Sequence, residues 1–402
     1  MLIADAAALI SLPAAMELVA ERIPVLGSED VAVRRAAGRI LAADVVAKDE
    51  IVGFARAAMD GYAVCAADGP GRFPITTMVY ARHREQVVDH APRTAVPVAT
   101  GAAMPPGTDA VIPEEDVAAA DGCISFDAAP VRGQHVFPPG EDARRGETLL
   151  RAGRCLSAAD LGMLAAAAYG NVAVRRRPRV AILCTGDELV APGETARLGE
   201  VPDSNGVTLA ASAERLGCDV VIERRLPDDA TLIAHAIGDA LDRTDVVATT
   251  GGASHGARDF VKSACAAAGV RMAFDAVAMK PARPTGFGRR GDRAVFALPG
   301  NPAAAYAAWN VFAVPYLVAL AGRKPATPAF AHLRAGVRGK SGRHVFVFVE
   351  LAERDGRLEA SPLDNQCSSL VRNGSRADAL AVIPPDAREC SAGSLVHVVR
   401  IA

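Results

Sequence analysis

The sequence predicts a doubly wound, mostly parallel α/β sheet, preceded by a β-rich insertion and followed by a small all-β domain. Three observations carry this. From about residue 178 the buried-type strands RVAILC, DVVIE, DVVATT and RAVFAL alternate with helical stretches, the pattern of a parallel sheet covered on both faces. Residues 46–140 are rich in Pro, Gly and short β-type runs such as TAVPVAT and DAVIP. From about residue 326 the helical period disappears and strand-like runs take over.

Taken in order, Ser11 and Pro13 open AAMELVAERI as a capped helix with Pro in its first turn. SAADLGMLAAAAYG is a second helix, with Ser157 as N-cap, Asp160 in the place of a capping-box acid, and Gly170 as its end. RRRPR, Arg175 to Arg179, marks a boundary and reads as a solvated linker. Beyond it, helices are expected over about 206–217, in LPDDATLIAHAIGDALDR with Asp at its start, in RDFVKSACAAAG, and in the long run AAAYAAWNVFAVPYLVAL. HVFVFVELAERDGRLEAS is a hairpin turning at Asp355-Gly356, and LAVIPP and SLVHVVRIA are two further strands.

The 402 residues allow several domains, and a hydrophobic fraction of 50% is enough for several cores. A net charge of −2 argues against nucleic acid or an anionic membrane surface as partner. The eight cysteines are scattered with no Cys-x-x-Cys pair, so reduced thiols in a cytoplasmic protein are expected rather than a metal cluster or a disulfide framework. The start MLIADAAALISLPAAMELVAER reads as a helix, not a signal peptide, and no window of about 20 residues is expected to span a membrane.

Ligands of open α/β sheets bind beyond the carboxyl ends of the strands. Three glycine-bearing turns fall there: Thr185-Gly186-Asp187-Glu188, Gly251-Gly252-Ala253-Ser254 and Pro299-Gly300-Asn301-Pro302. Glycine lets a backbone approach a ligand, and a helix start offers N–H groups to a phosphate. Asp187, Glu188, Asp203, Asp228 and Asp259 lie in or beside these loops. Carboxylates near a phosphate call for a divalent cation between them, with magnesium the natural choice. Lys280 and Arg283 in AMKPARPTGFG add positive charge for an oxyanion. Asp245, on the opposite edge, reads as structural.

At this point the motifs AMDGYAV, TGAAMPPGTDAVIPEED, GEDARRGETLL, RPRVAILCTGDELV, DSNG, TGGASHGARDF, MKPARPTGFG and LPGNPAAA together resemble the MoeA-type molybdopterin molybdotransferases, related to the C-terminal part of gephyrin. The resemblance covers nearly the whole chain. It implies an elongated homodimer of four domains: a helical domain from 1–45 and 141–177, the β-rich insertion 46–140, a MogA-like α/β domain 178–325 and a C-terminal β-barrel-like domain 326–402. It implies an inter-subunit active site between the α/β domain of one copy and the insertion of the other. The implied reaction takes adenylylated molybdopterin and molybdate and releases AMP and molybdenum cofactor, with Mg2+. Contact with the upstream adenylyltransferase and with apo-molybdoenzymes is implied as well. By motif, Asp60, Glu188, Asp259, Lys280 and Arg283 are expected to be catalytic, and Glu188, Asp187 and Asp259 to face the metal. Thr100, Asp142, Thr185, Gly186, Asp187, Asp203, Ser204, Asn205, Asp228, Gly251, Gly252, Ser254, Pro299, Gly300 and Asn301 are expected to bind substrate.

The chain departs from the family pattern at several places. Ala57 stands for a serine, in the run Val52-Gly53-Phe54-Ala55-Arg56-Ala57. Ala253 and His255 stand in the glycine loop, Ala282 for a glycine, Arg283 for a lysine, and Gln366-Cys367-Ser368 for a glycine-serine segment. These departures leave two alternatives beside the molybdotransferase: a non-catalytic relative that binds or delivers finished cofactor, and a molybdopterin adenylyltransferase.

Overall fold

The computed structural model describes residues 9–78, 91–252 and 260–401. The chain forms two compact units, one from the N-terminal segment to Glu29 together with Arg175 onward, the other from Asp30 to Val174.

The first unit is built on a six-stranded sheet in the order Asp219–Leu226, Arg179–Thr185, Val246–Thr250, Arg293–Leu298, Gly286–Arg290, Arg271–Phe274. The first four strands are parallel and the last two pair antiparallel. That antiparallel pair escaped the sequence reading because Gly286 and Gly288 lower its β-propensity. The second glycine is required: a Cβ at Gly288 would lie 2.8 Å from the Arg271 carbonyl oxygen, a backbone atom of the neighbouring strand.

Side chains of Arg179–Thr185 alternate between two cores, as strand geometry demands. Val180, Ile182 and Cys184 join a cluster that includes residues of the helix Ser204–Arg215 and of the long helix starting at Pro302. Ala181 and Leu183 pack instead with the helices Ala230–Arg243 and Phe260–Ala267. The N-terminal helix, Leu12–Ala20, is capped by Ser11 and places Leu12, Ala15 and Val19 in the first of these cores. By packing it therefore belongs to the α/β unit.

The segment Pro302–Leu320 corrects one expectation. It is long and apolar enough to cross a membrane by length and composition, yet most of it is buried within the fold as a core helix. A π-helical turn, Trp309–Ala313, precedes Pro315, whose missing N–H and ring an unbroken α-helix would not tolerate.

Five strands close into a barrel: His344–Arg354, Arg357–Pro362, Ala329–Leu333, Leu395–Arg400, Ala379–Ile383 and back to the first. Val345, Val347 and Val349 fill its interior, while Phe346 and Phe348 point the other way, into the α/β core. One strand thus serves two cores. The hairpin turns at Asp355 and Gly356, both with positive φ (50° and 71°), as a type I′ turn requires.

In the second unit, Gly61–Val64 lies between Val96–Val98 and Ala110–Pro113, and Cys123–Phe126 between Gly71–Pro74 and Ala118–Ala120. The helix Ala158–Ala166 carries the expected capping box of Ser157 and Asp160. It stops earlier than Gly170, because Ala168 takes the left-handed turn (φ 58°) and Tyr169 N–H reaches back to the Leu164 carbonyl.

The amino edge of the parallel sheet is held by Asp245, whose side chain is 5% exposed. Arg176 binds it through two nitrogens, at 2.7 and 2.9 Å, Arg179 N–H donates at 2.9 Å, and Arg293 pairs with it too. Burial pushes this carboxyl upward, but the Arg176 hydrogen bonds, the Arg179 N–H and the two guanidinium charges outweigh it and hold it below the usual range. A depressed folded-state pKa stabilises the protein above the unfolded value, near pH ~3.9, and that contribution disappears as pH falls through the folded value. Asp245→Ala leaves two arginines facing a partly buried gap, so it is expected to cost about 3 kcal/mol. It should also flatten the acid limb of stability measured by urea unfolding between pH 2 and 7.

Candidate functional site

The chain leaves Arg179–Thr185 for the edge strand on one side, Asp219–Leu226, and then crosses to Val246–Thr250 on the other. The switch point lies between the carboxyl ends of Arg179–Thr185 and Val246–Thr250, where open α/β sheets form their ligand crevice. A cleft of about 850 Å³ opens there.

The expected loops converge on it. Thr185, Gly186 and Glu188 line it from the first strand, Asp203, Ser204 and Asn205 from the next helix start, and Asp228 from the loop after the edge strand. Gly251 and Gly252 line it from the third strand, and Pro299, Gly300 and Asn301 from the fourth. Close approach explains the first of the two glycines: Gly251 has φ 92°, and a Cβ there would lie 2.1 Å from the Thr185 carbonyl oxygen.

Side-chain hydrogen bonds fix these turns to one another. Asn205 Nδ2 donates to Thr250 Oγ1 at 2.9 Å and to the Gly300 carbonyl at 2.8 Å. Thr250 Oγ1 donates onward to the Pro299 carbonyl at 2.8 Å. Asp203 is the N-cap of its helix, accepting from Gly206 N–H at 2.8 Å, and is 5% exposed. Burial, with the Asp203 charge adding to it, pushes the neighbouring Cys184 thiol far up, so it stays protonated. Asp187 lies outside the lining and accepts from Asp228 N–H at 3.0 Å.

The helix start after Pro299-Gly300-Asn301 differs from expectation. Its N–H groups are not open to a phosphate: Ala303 and Ala304 donate to the Ser368 carbonyl at 2.9 and 3.3 Å, and Pro302 has none to offer. The capping segment comes from the barrel region. Gln366 anchors it, accepting from Phe348 N–H at 2.9 Å and donating to the Phe348 and Leu363 carbonyls at 3.0 and 2.9 Å. The departure from a glycine-serine segment thus has a structural role here.

Lys280 and Arg283 are exposed and do not line the cleft, although Pro284, next in the chain, does. Neither cation has a carboxylate partner among the described residues. Between them Ala282 holds φ 72° and is buried, a left-handed conformation that costs an L-residue roughly 1 kcal/mol where the family pattern has glycine. Asp259, Ser254, Ala253 and His255 fall outside the described residues.

In the other unit two expected residues meet. Asp60 Oδ1 accepts from Thr100 N–H at 2.6 Å and from Thr100 Oγ1 at 2.8 Å. The backbone hydrogen bond first, and the hydroxyl second, pull the Asp60 carboxyl below its ordinary pKa. Asp142 accepts from Arg56 Nη2 at 3.3 Å, and Arg56 stacks over Phe137. Ala57 is fully buried with Ala63, Val96, Val98, Ala102 and Val111, so its methyl group is part of an apolar core.

As for a metal, Glu188 and Asp228 give the cleft hard oxygen donors, but no group of three ligating side chains occurs among the described residues. That donor set fits Mg2+ only if substrate phosphate and water complete the shell. Sequence reasoning missed Cys184, Leu189, Val201, Pro202, Thr250, Pro284, Ser369 and Val371 as lining residues. The last two come from a segment about 70 positions beyond the nearest glycine turn and carried no local sign of it.

Fold and cleft define a multidomain α/β protein with a switch-point binding site. Family models match along the chain: the MoeA N-terminal region (domain I and II) over 10–168, a probable molybdopterin binding domain over 181–319, and the MoeA C-terminal region (domain IV) over 331–401. A molybdopterin molybdenumtransferase of Haemophilus influenzae is 30% identical, over 92% of this chain and 93% of its own. Molybdopterin molybdenumtransferase 2 of Mycobacterium tuberculosis is 31% identical, over 95% and 97%. Two solved structures of the MoeA protein from Pyrococcus horikoshii match with TM-scores of 0.85 and 0.80 at 29% and 27% identity, each covering 98% of this chain, and 99% and 100% of theirs. The chain belongs to the MoeA family of molybdopterin molybdenumtransferases.

Thr185 Oγ1 is buried and has no hydrogen-bond partner among the described residues. Replacing an unpaired buried hydroxyl by an isosteric methyl removes a desolvation cost, so Thr185→Val is expected to stabilise the free protein by about 1 kcal/mol. Calorimetric unfolding checks this; a loss of stability would mean that the hydroxyl is paired, by a buried water for instance.

Proposed function

We propose that this protein is a molybdopterin molybdotransferase: it takes adenylylated molybdopterin and molybdate, and releases AMP and molybdenum cofactor. The observation that carries this is the switch-point cleft itself, formed in the segment that matches a molybdopterin binding domain. In this reading Lys280 and Arg283, exposed and without carboxylate partners among the described residues, attract the molybdate oxyanion. Glu188 and Asp228, with Asp187 beside them, would hold Mg2+ together with substrate phosphate; the ion supplies charge neutralisation at the phosphoanhydride. The Asp60 carboxylate, held by Thr100, is a fixed acceptor and stays ionised at physiological pH. A homodimer working in the cytoplasm belongs to the same proposal.

The test is AMP release from adenylylated molybdopterin by the purified protein. Release is expected to need both molybdate and Mg2+. Asp60→Ala and Glu188→Ala should each lower turnover at least about tenfold, the loss of one charge-assisted contact, while circular dichroism and light scattering remain those of the wild type. Tight pterin binding without AMP release would instead favour a cofactor carrier. Because the Asp60 pKa is depressed, its contribution should be flat from pH 5 to 8.

A further inference from the structure

The run RRRPR is expected to be a solvated linker, yet most of it is engaged. Arg175 donates to the Leu26 carbonyl at 3.1 Å, Arg176 is bound to Asp245, and Arg177 pairs with Asp219 at 3.7 Å. Arg179 is exposed, and its guanidinium has no partner among the described residues. It lines a cavity of about 480 Å³ at the amino edge of the sheet, together with Arg176, Arg243, Arg293, Asp242 and Asp245.

This cavity holds more donors than acceptors. Asp245 is saturated: Oδ1 accepts from Arg176 Nη2 and Arg293 Nη1, and Oδ2 from Arg176 Nη1 and the Arg179 N–H. Four hydrogen bonds fill the lone-pair sites of a carboxylate. Asp242 pairs with Arg290, which does not line the cavity. Arg243 meets Asp239 only at 3.7 Å, and Asp239 also faces Arg224 at 3.5 Å. Apart from Nη1, the Arg293 guanidinium has no partner among the described residues. Four lining guanidiniums thus face two carboxylates, a surplus of two positive charges. The helix Ala230–Arg243 ends at the same rim. Its carboxyl end opposes an anion with about half a charge, too little to cancel that surplus.

Guanidinium N–H groups without acceptors call for an oxyanion, whose oxygens match the planar fork two at a time. A charge of −2 matches the surplus. We propose that this cavity is a binding site for a phosphate dianion, held by Arg179, Arg243 and Arg293 on the edge of the sheet opposite the cleft. That chemistry is shared by free phosphate and by the end of a phosphomonoester. The anion bridges the first residues of two strands, Arg179 and Arg293, and the last residue of a helix, Arg243. Binding the folded chain and not the unfolded one, it raises stability by mass action. The proposal does not depend on the molybdopterin reading.

The test is the thermal unfolding midpoint of the full-length protein over a series of sodium phosphate concentrations, with sodium chloride at matched ionic strength as the blank and glycerol 2-phosphate as a monoester probe. Phosphate is expected to raise the midpoint beyond chloride. Arg179→Ala should weaken the dissociation constant read from the series at least about threefold, and Arg179→Ala/Arg243→Ala at least about tenfold. In chloride, Arg179→Ala should keep the wild-type midpoint, since its backbone N–H still serves Asp245. Lys280→Ala/Arg283→Ala removes the same charge on the other side of the domain and should leave the constant within about twofold. A shift with both probes, or with phosphate alone, supports the site and tells a monoester end from the free ion. The proposal is overturned if phosphate does no more than chloride, or if the Arg179 and Arg243 variants keep the wild-type constant. It is also overturned if Lys280→Ala/Arg283→Ala abolishes the shift, which would put the anion elsewhere. Should the double variant at Arg179 and Arg243 not fold by circular dichroism, Arg179→Ala alone decides.

Discussion

The hydrogen-bond chain from Asn205 through Thr250 to Pro299, with its branch to Gly300, is the constraint on which the cleft depends. Parallel strands end in loops that have no ladder to hold them, so the walls of a switch-point crevice are the least constrained part of such a sheet. Here one amide joins a helix start to the ends of two strands. The amide donates to one hydroxyl and one backbone carbonyl, the hydroxyl donates to a second carbonyl, and the geometry is in place before any ligand arrives. Preorganisation of this kind lowers the ordering cost that binding would otherwise carry.

The two edges of the sheet solve opposite problems. At the amino edge, Asp245 gathers Arg176, Arg293 and the Arg179 backbone into a charged cluster with no free acceptor left over. At the carboxyl edge, polar atoms are left open among the described residues: Asn205 Oδ1, the carboxylate of Glu188, and the buried Thr185 hydroxyl. Satisfied polar groups hold an architecture together, and unsatisfied ones stay in a native protein where something else pairs with them. This contrast separates stability from function within one domain.

The α/β domain was legible because its strands are continuous apolar runs and its turns carry glycine at strand ends; RAVFAL is a strand over the very residues expected. The Ser157–Asp160 capping box and the Asp355-Gly356 turn were legible because local chemistry decides them. What stayed hidden depends on distant partners. The strand Gly286–Arg290 reads poorly because its glycines answer to Arg271 and Met272 across the sheet. Ser369 and Val371 enter the cleft only after the barrel has closed. The loop around Asp259 lies outside the described residues, so the expectation for that carboxylate stands on motif alone.

The cap on the helix that begins at Pro302 has a consequence for how the chain can be cut and assembled. Its oxygen comes from Ser368, and Ser368 is held through Gln366 to a barrel strand whose phenylalanines fill the α/β core. The two domains therefore share a boundary that neither completes alone. An excised α/β domain would keep its sheet but lose the acceptor over that helix start and the inward-facing Phe346 and Phe348. Such long-range closure is slow to form, so the binding surface is expected to mature late, as a product of the two folded domains rather than of the loops that carry its motifs.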